Sequence, residues 1–278
     1  MQQVKVLHPF LLGRENPVGG QPGDSDPKGA ALNLELCHAK SNPRLPLQAP
    51  AILVEEDQQY KKYDWIECRL QRSTKDPRPE TYHRTNLEEI HPIGHIGTED
   101  DWSERRDIVL KKAVVHHDLG SLIEGAKQNQ LSLAVFRPTK LLDFVIEECD
   151  RDWDLEKLEA MRAQHAQLDL FTDKKPFELI PKLPYKFSYR FQDSSGRVSE
   201  LMILDWEIGA LYWNCRKAAG GNEHTALSKV KEKYLTEFSE KNLHFYLGTT
   251  QQFHQVGPNP WVIVGVLPIP HQRQLKLF

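Results

Sequence analysis

Asp205 and Glu207 stand where an apolar run ends and a helical pattern begins, and two carboxylates so placed could hold a magnesium ion for phosphodiester cleavage. A metal-dependent nuclease of this type would also want a Glu-x-Lys on the next strand, and none occurs at a suitable place. The alternative is mechanical: Asp205 caps the helix beginning at Trp206, and Glu207 favours its first turn. Magnesium is expected only under the nuclease reading; otherwise no cofactor is expected. The histidines suggest little more. His116 and His117 are adjacent, so on a helix they diverge and make a poor ligand pair. His244 and His254 could approach one another through the turn at Gly248-Thr249-Thr250, but without the carboxylate or cysteine spacing of a metal site. That turn also lacks the lysine and glycine spacing of a phosphate-binding loop.

Cations interleaved with aromatics offer a second kind of chemistry. Lys182, Lys186 and Arg190 alternate with Tyr185, Phe187, Tyr189 and Phe191 along one strand-like run. Lys61, Lys62, Arg69, Arg72, Lys75 and Arg78 surround another. Aromatic faces stack on bases while cations follow phosphates, so these runs point to single-stranded nucleic acid. Strand alternation equally fits aromatics facing a core and charges facing water.

The run Gln167-Leu168-Asp169-Leu170-Phe171 reads as a docking peptide, and Gln274-Leu275-Lys276-Leu277-Phe278 is a poorer second copy. In such a peptide the amide hydrogen-bonds at one end, while the leucines and phenylalanine fill apolar pockets on a partner. The first copy resembles the sliding-clamp-binding motif of bacterial replication and repair proteins, which implies a sliding clamp as partner. Leu168, Leu170 and Phe171 also fit the closing turn of the apolar stripe before them.

These residues must be carried by elements that the chain encodes unevenly. With 278 residues and 39% hydrophobic content, one large domain or two small ones are expected. The formal charge of −3 argues against coating nucleic acid by bulk electrostatics. Four scattered cysteines (Cys37, Cys68, Cys149, Cys215) fit a reducing cytoplasm. No apolar run is long enough to span a bilayer, so no membrane partner is expected.

Residues 1–50, rich in Gly and Pro from Gly13 to Pro27, read as mostly irregular, with a short strand at Val4–Leu7. Trp65–Leu70 alternates as a half-buried strand. Helices are expected over Trp102–Val114, His116–Lys127 and Leu155–Gln164, with strands at Leu131–Phe136 and Asp143–Glu147. Tyr185–Phe191 and Val198–Leu204 flank Asp193-Ser194-Ser195-Gly196, which predicts a hairpin. Helices Trp206–Lys217 and Thr225–Lys241 and strands Leu243–Leu247 and Trp261–Leu267 complete the pattern.

Lys182 to Phe191, Ile203 to Glu207, Leu243 to Thr249 and Pro260 to Val266 resemble an uncharacterised prokaryotic protein family, as do Tyr63 to Glu67, Asp76 to Tyr82 and Trp102 to Arg106. The resemblance covers roughly residues 58–267 and implies no particular activity. More distantly, the C-terminal part is similar to proteins with two OB-like domains, a fold class often used on single-stranded nucleic acid.

The sequence therefore predicts a cytoplasmic α+β protein with two small lobes, OB-like by resemblance. After an irregular segment, 1–50, come an N-terminal lobe, 51–150, and a helix and linker with the docking peptide, 151–182. A C-terminal lobe, 183–270, and a tail, 271–278, follow. The function it favours is a nucleic-acid-binding or adaptor protein recruited to DNA through the docking peptide, with the nuclease as alternative.

Overall fold

The structure, a computed structural model, describes residues 63–84, 91–153, 159 and 182–271, together with strand segments within the first 34 residues. Those segments are β1 (Gln2–Leu7), β2 (Leu11–Leu12), β3 (Arg14–Glu15) and β4 (Ala31–Leu34). They join β5 (Asp64–Arg72), β6 (Thr81–Arg84) and β7 (His91–His95) in one mixed sheet. In it β1 pairs antiparallel with β5, Gln2 opposite Leu70 through Leu7 opposite Trp65. The first fifty residues thus contribute more strand than their Gly- and Pro-rich composition suggests.

Helix α1 (Glu99–Lys112) follows, then β8 (Val115–His116), α2 (Leu119–Lys127), β9 (Leu133–Phe136) and β10 (Lys140–Glu148). Helix α2 starts three residues later than expected. Asp118 is its N-cap, accepting from the amides of Gly120 and Ser121, while Val115 and His116 pair in parallel with β9. The remaining elements match the predicted order: β11 (Tyr185–Gln192), β12 (Val198–Met202), α3 (Trp206–Ala218), α4 (Glu223–Lys231), β13 (Asn242–Thr249) and β14 (Trp261–Ile269). Helix α4 runs on into a π-helical turn, Glu232–Glu237.

Two sheets build the main core. One has the order β10-β11-β12 and the other β14-β13-β9-β8, and a parallel bridge from Ile203 to Ile263 links them. Alternation along β11 buries Tyr185, Phe187, Tyr189 and Phe191 and exposes Lys186 and Arg190. Across the interface Tyr189 stacks on Phe245 with ring centroids 5.1 Å apart, and Phe136 lies 5.4 Å from Phe191. Helices α2, α3 and α4 close this core with Leu122, Tyr212 and Val230. The sheets remain open: no barrel closes among the described residues.

The second sheet is buried on its other face too. Tyr246, Leu267 and Ile269 pack with Tyr63, Ile96 and the α1 residues Ile108 and Val109 in a separate cluster. Burial on both faces explains why β13 and β14 read as nearly continuous apolar runs. Each such side chain contributes roughly 1.5–3 kcal/mol of burial. An α+β fold with two lobes is present, but the lobes share this core. The hydrogen bonding also departs from a division at residue 150, because β9 pairs with β13 and β10 with β11. No helix among the described residues is long and apolar enough to cross a membrane.

Candidate functional site

The clearest candidate is the root of residues 154–181, the stretch that contains Gln167–Phe171. Strands β10 and β11 pair antiparallel up to Glu148 opposite Tyr185. Beyond that pair the Cys149 amide donates to the Pro184 carbonyl at 3.0 Å, and Lys182 Nζ donates to the Asp152 carbonyl at 3.1 Å. Arg151 is gripped by both oxygens of Glu223, at 2.8 and 2.9 Å. Tyr185 also donates its hydroxyl to Glu223 at 2.7 Å. These bonds, Arg151 foremost, hold the Glu223 carboxyl down at about 2. Residues 149–152 and 182–185 are thus held together at one braced point. Gln167, Leu168, Asp169, Leu170 and Phe171 lie outside the described residues, as do Gln274, Leu275, Leu277 and Phe278.

The expected single-strand platform on β11 does not form. Its aromatics are core residues, each 4% exposed or less, so no base can stack on them. The cations do point outward, but the strand register sets carboxylates opposite them. Lys186 faces Glu147, while Arg190 faces Asp143 on β10 and Glu200 on β12. Lys182 is engaged at the root of the insertion instead of extending a cationic track.

Asp205 takes the mechanical role. Its Oδ1 accepts from the Glu207 amide at 3.0 Å as the N-cap of α3, and its Oδ2 accepts from the Val266 amide at 3.4 Å. One carboxylate therefore ties the helix start to the edge of β14. Among the described residues no three His, Cys, Asp or Glu side chains converge to hold a metal. The histidines separate: His244 Nδ1 meets the Asn242 carbonyl at 3.0 Å, whereas His254 lies in another network.

That network is a polar clasp between the lobes, which the sequence reading did not single out. Arg78, held by Asp76 at 2.5 Å, also donates to the Thr249 carbonyl at the end of β13. Glu80 Oε2 accepts from the Ser132 amide at 2.8 Å and from its hydroxyl at 2.5 Å. Burial raises the Glu80 carboxyl above its ordinary range. Asn129 donates through Nδ2 to the Pro77 carbonyl, which leaves Oδ1 to accept from His254 Nε2 at 2.9 Å. His254 Nδ1 must then accept from Thr249 Oγ1, also at 2.9 Å. Burial, with Arg78 nearby, lowers the His254 pKa and keeps the ring neutral. A hydroxyl, an imidazole and an amide in a row resemble a hydrolase relay. Thr249 and His254 are only 5% and 2% exposed, so the row is walled off from substrate.

A cleft of about 590 Å³ opens between α1, α3 and the π-helical turn. Trp102 and Tyr63 are among its lining residues, and both have left-handed backbone, with φ of +64° and +69°. Asp100 and Asp101, at +49° and +51°, share that conformation, so α1 is regular only after Trp102. Bulky residues rarely adopt it, at a cost of roughly 1–2 kcal/mol each. Arg105 braces the wall: its guanidinium lies 3.8 Å from the Tyr63 ring centroid and donates to the Ile96 carbonyl at 3.0 and 2.8 Å. Burial pushes the Tyr63 hydroxyl well above its ordinary pKa, against an opposing effect of Arg105.

The geometry defines a two-lobed α+β protein with a braced strand pair on either side of residues 154–181 and an inter-lobe cleft. A family model described as a domain of unknown function, DUF8757, matches residues 113–278, and a second such model, DUF8758, matches residues 46–111. The chain belongs to the DUF8757 family. The boundary between the two matches falls at the end of α1, where strand pairing also passes from the sheet of β1–β7 to the two sheets of the main core. No curated protein and no solved structure matches the chain.

Proposed function

We propose that this protein is an adaptor recruited to DNA by docking Gln167–Phe171 on a sliding clamp. The observation that supports it is the braced root of residues 154–181. The peptide lies within an insertion between two strands whose pairing and buried aromatics belong to the core on either side of it. Docking peptides are presented best from a rigid scaffold. In this reading contact with DNA runs through the clamp, because the β11 cations face carboxylates in register.

The test is calorimetry with a purified bacterial sliding clamp. The chain should bind, and Leu170→Ala with Phe171→Ala should abolish most of the affinity. Two buried anchors at ~2 kcal/mol each correspond to roughly a thousandfold weakening. No binding by the parent chain, or binding indifferent to the double change, removes the proposal.

A further inference from the structure

Strand register places a basic row at the margin of the second sheet. Val115, Val135 and Tyr246 stand side by side on β8, β9 and β13. Two residues on, toward the same end of the sheet and on the same face, come His117, Arg137 and His244. The Arg137 amide donates to the His116 carbonyl at 2.9 Å, which carries the register past the end of β9. Neighbouring strands lie about 4.8 Å apart, so Arg137 stands between the two imidazoles and within reach of both. Exposure grows along the row: His244 is 2% exposed and pairs with the buried Leu267 of β14, whereas Arg137 and His117 are exposed.

Negative charge is missing from this row. Burial lowers the His244 pKa, and the Arg137 and His117 charges lower it further, against a hydrogen bond to the Asn242 carbonyl. Asp118, the next residue after His117, is spent on the amides of Gly120 and Ser121. Asp193, whose neighbour Ser194 bonds the His117 carbonyl, is spent on the amides of Leu119, Ser195 and Arg197. Among the described residues the Arg137 guanidinium makes no ion pair.

The His244 ring is fixed in a way that selects the ligand. A carbonyl only accepts, so His244 Nδ1 carries the proton that it donates to Asn242, at 3.0 Å. Its Nε2 has no partner among the described residues. Neutral, this nitrogen accepts from a P–OH; protonated, it donates to a phosphate oxygen. A phosphate monoester loses its second proton near pH 6, close to the usual histidine value of about 6.5, so the pair shares one proton in either state. Its remaining oxygens suit the planar fork of an arginine.

We infer that His117, Arg137 and His244 form a binding site for a phosphate group, as inorganic phosphate or a monoester, with Arg137 as the central anchor. The inference does not depend on clamp binding, and its test uses no clamp.

Inorganic phosphate is titrated into the full chain at constant ionic strength, with chloride as the balancing anion. Histidine ring resonances are followed by NMR, assigned through His117→Gln and His244→Gln. The His117 and His244 signals should shift along one saturable curve. Arg137→Gln should weaken binding at least tenfold, the loss expected for a hydrogen bond between charged groups. His117→Gln, also at an exposed position, should weaken it about threefold, as for one ordinary hydrogen bond. Lys186→Gln with Arg190→Gln removes cations that face carboxylates and should leave the curve unchanged. An oligonucleotide should bind only when it carries a terminal phosphate. Circular dichroism checks that each variant keeps the fold. No saturable shift, or a curve unmoved by both Arg137→Gln and His117→Gln, would overturn the inference. So would equal binding of the oligonucleotide without its terminal phosphate, which would assign the row to a phosphodiester backbone.

Discussion

Replacing Arg78 with methionine should be among the most damaging single changes available in this chain. The Arg78 and Asp76 side chains are 8% and 2% exposed, and their ion pair measures 2.5 Å. Arg78 also satisfies the Thr249 carbonyl, so its loss strands both a buried carboxylate and a backbone acceptor. Breaking a buried pair from one side typically costs 3–5 kcal/mol. The Arg78 amide still donates to Asp76 Oδ1 at 3.1 Å after the change, which places the loss near the lower limit, about 3 kcal/mol. That is a large share of the ~5–15 kcal/mol that holds a typical domain together. Asp76→Ala in the same chain removes the stranded charge, so the double variant should recover much of the loss. Urea unfolding followed by tryptophan fluorescence provides the full double-mutant cycle. A single variant that loses under ~1 kcal/mol would mean that water reaches the pair and the clasp is weak. Strictly additive losses would mean that the two side chains do not act as a unit.

Two further outcomes follow from the helix caps and the braced insertion. Asp205→Ala should cost about 1 kcal/mol through the lost N-cap of α3, and Asp205→Asn should leave no catalytic defect; a magnesium-dependent nicking of labelled DNA that disappears in Asp205→Asn would restore the nuclease reading. Glu223 has its pKa depressed from 4.5 to about 2, so its stabilising effect is complete above pH 4.5 and disappears as the pH falls towards 2; the gap in urea midpoint between the parent and Glu223→Gln should close across that window, and a gap that stays constant with pH would show that the Arg151 bridge contributes nothing.

The sequence makes the C-terminal hairpin plain because two local signals agree there. Aromatics alternate with polar groups along β11, and Asp193 organises the turn, accepting from the amides of Ser195 and Arg197. Local signals fail where the deciding partner is distant. His116 is expected to open a helix, yet pairing with β9 makes it and Val115 a strand, and Asp118 as a cap marks the true start of α2. Acidic Glu99, Asp100 and Asp101 look like an ideal first turn, but left-handed backbone there puts Trp102 on the cleft wall. The cations on β11 read as a phosphate track until the register places Asp143, Glu147 and Glu200 beside them. The clasp and the cleft were hidden for the same reason, since each joins residues well over a hundred positions apart. Some of their members, Tyr63, Asp76 and Trp102, do lie in the runs that carry the family resemblance.

The shared core changes what the insertion can do. Had Gln167–Phe171 lain in a linker between independent lobes, a partner bound there would have separated them or held them apart. Instead β10 and β11 both belong to one sheet, and that sheet packs through Phe144, Phe187 and Tyr189 into the main core. Load on the peptide therefore reaches both ends of a single hairpin at once, and the ladder from Lys140 opposite Gln192 to Glu148 opposite Tyr185 carries it. The lobes stay joined on the far face of the other sheet, where Tyr246, Leu267 and Ile269 meet Ile108 and Val109. Recruitment through the insertion would thus leave the inter-lobe cleft undistorted.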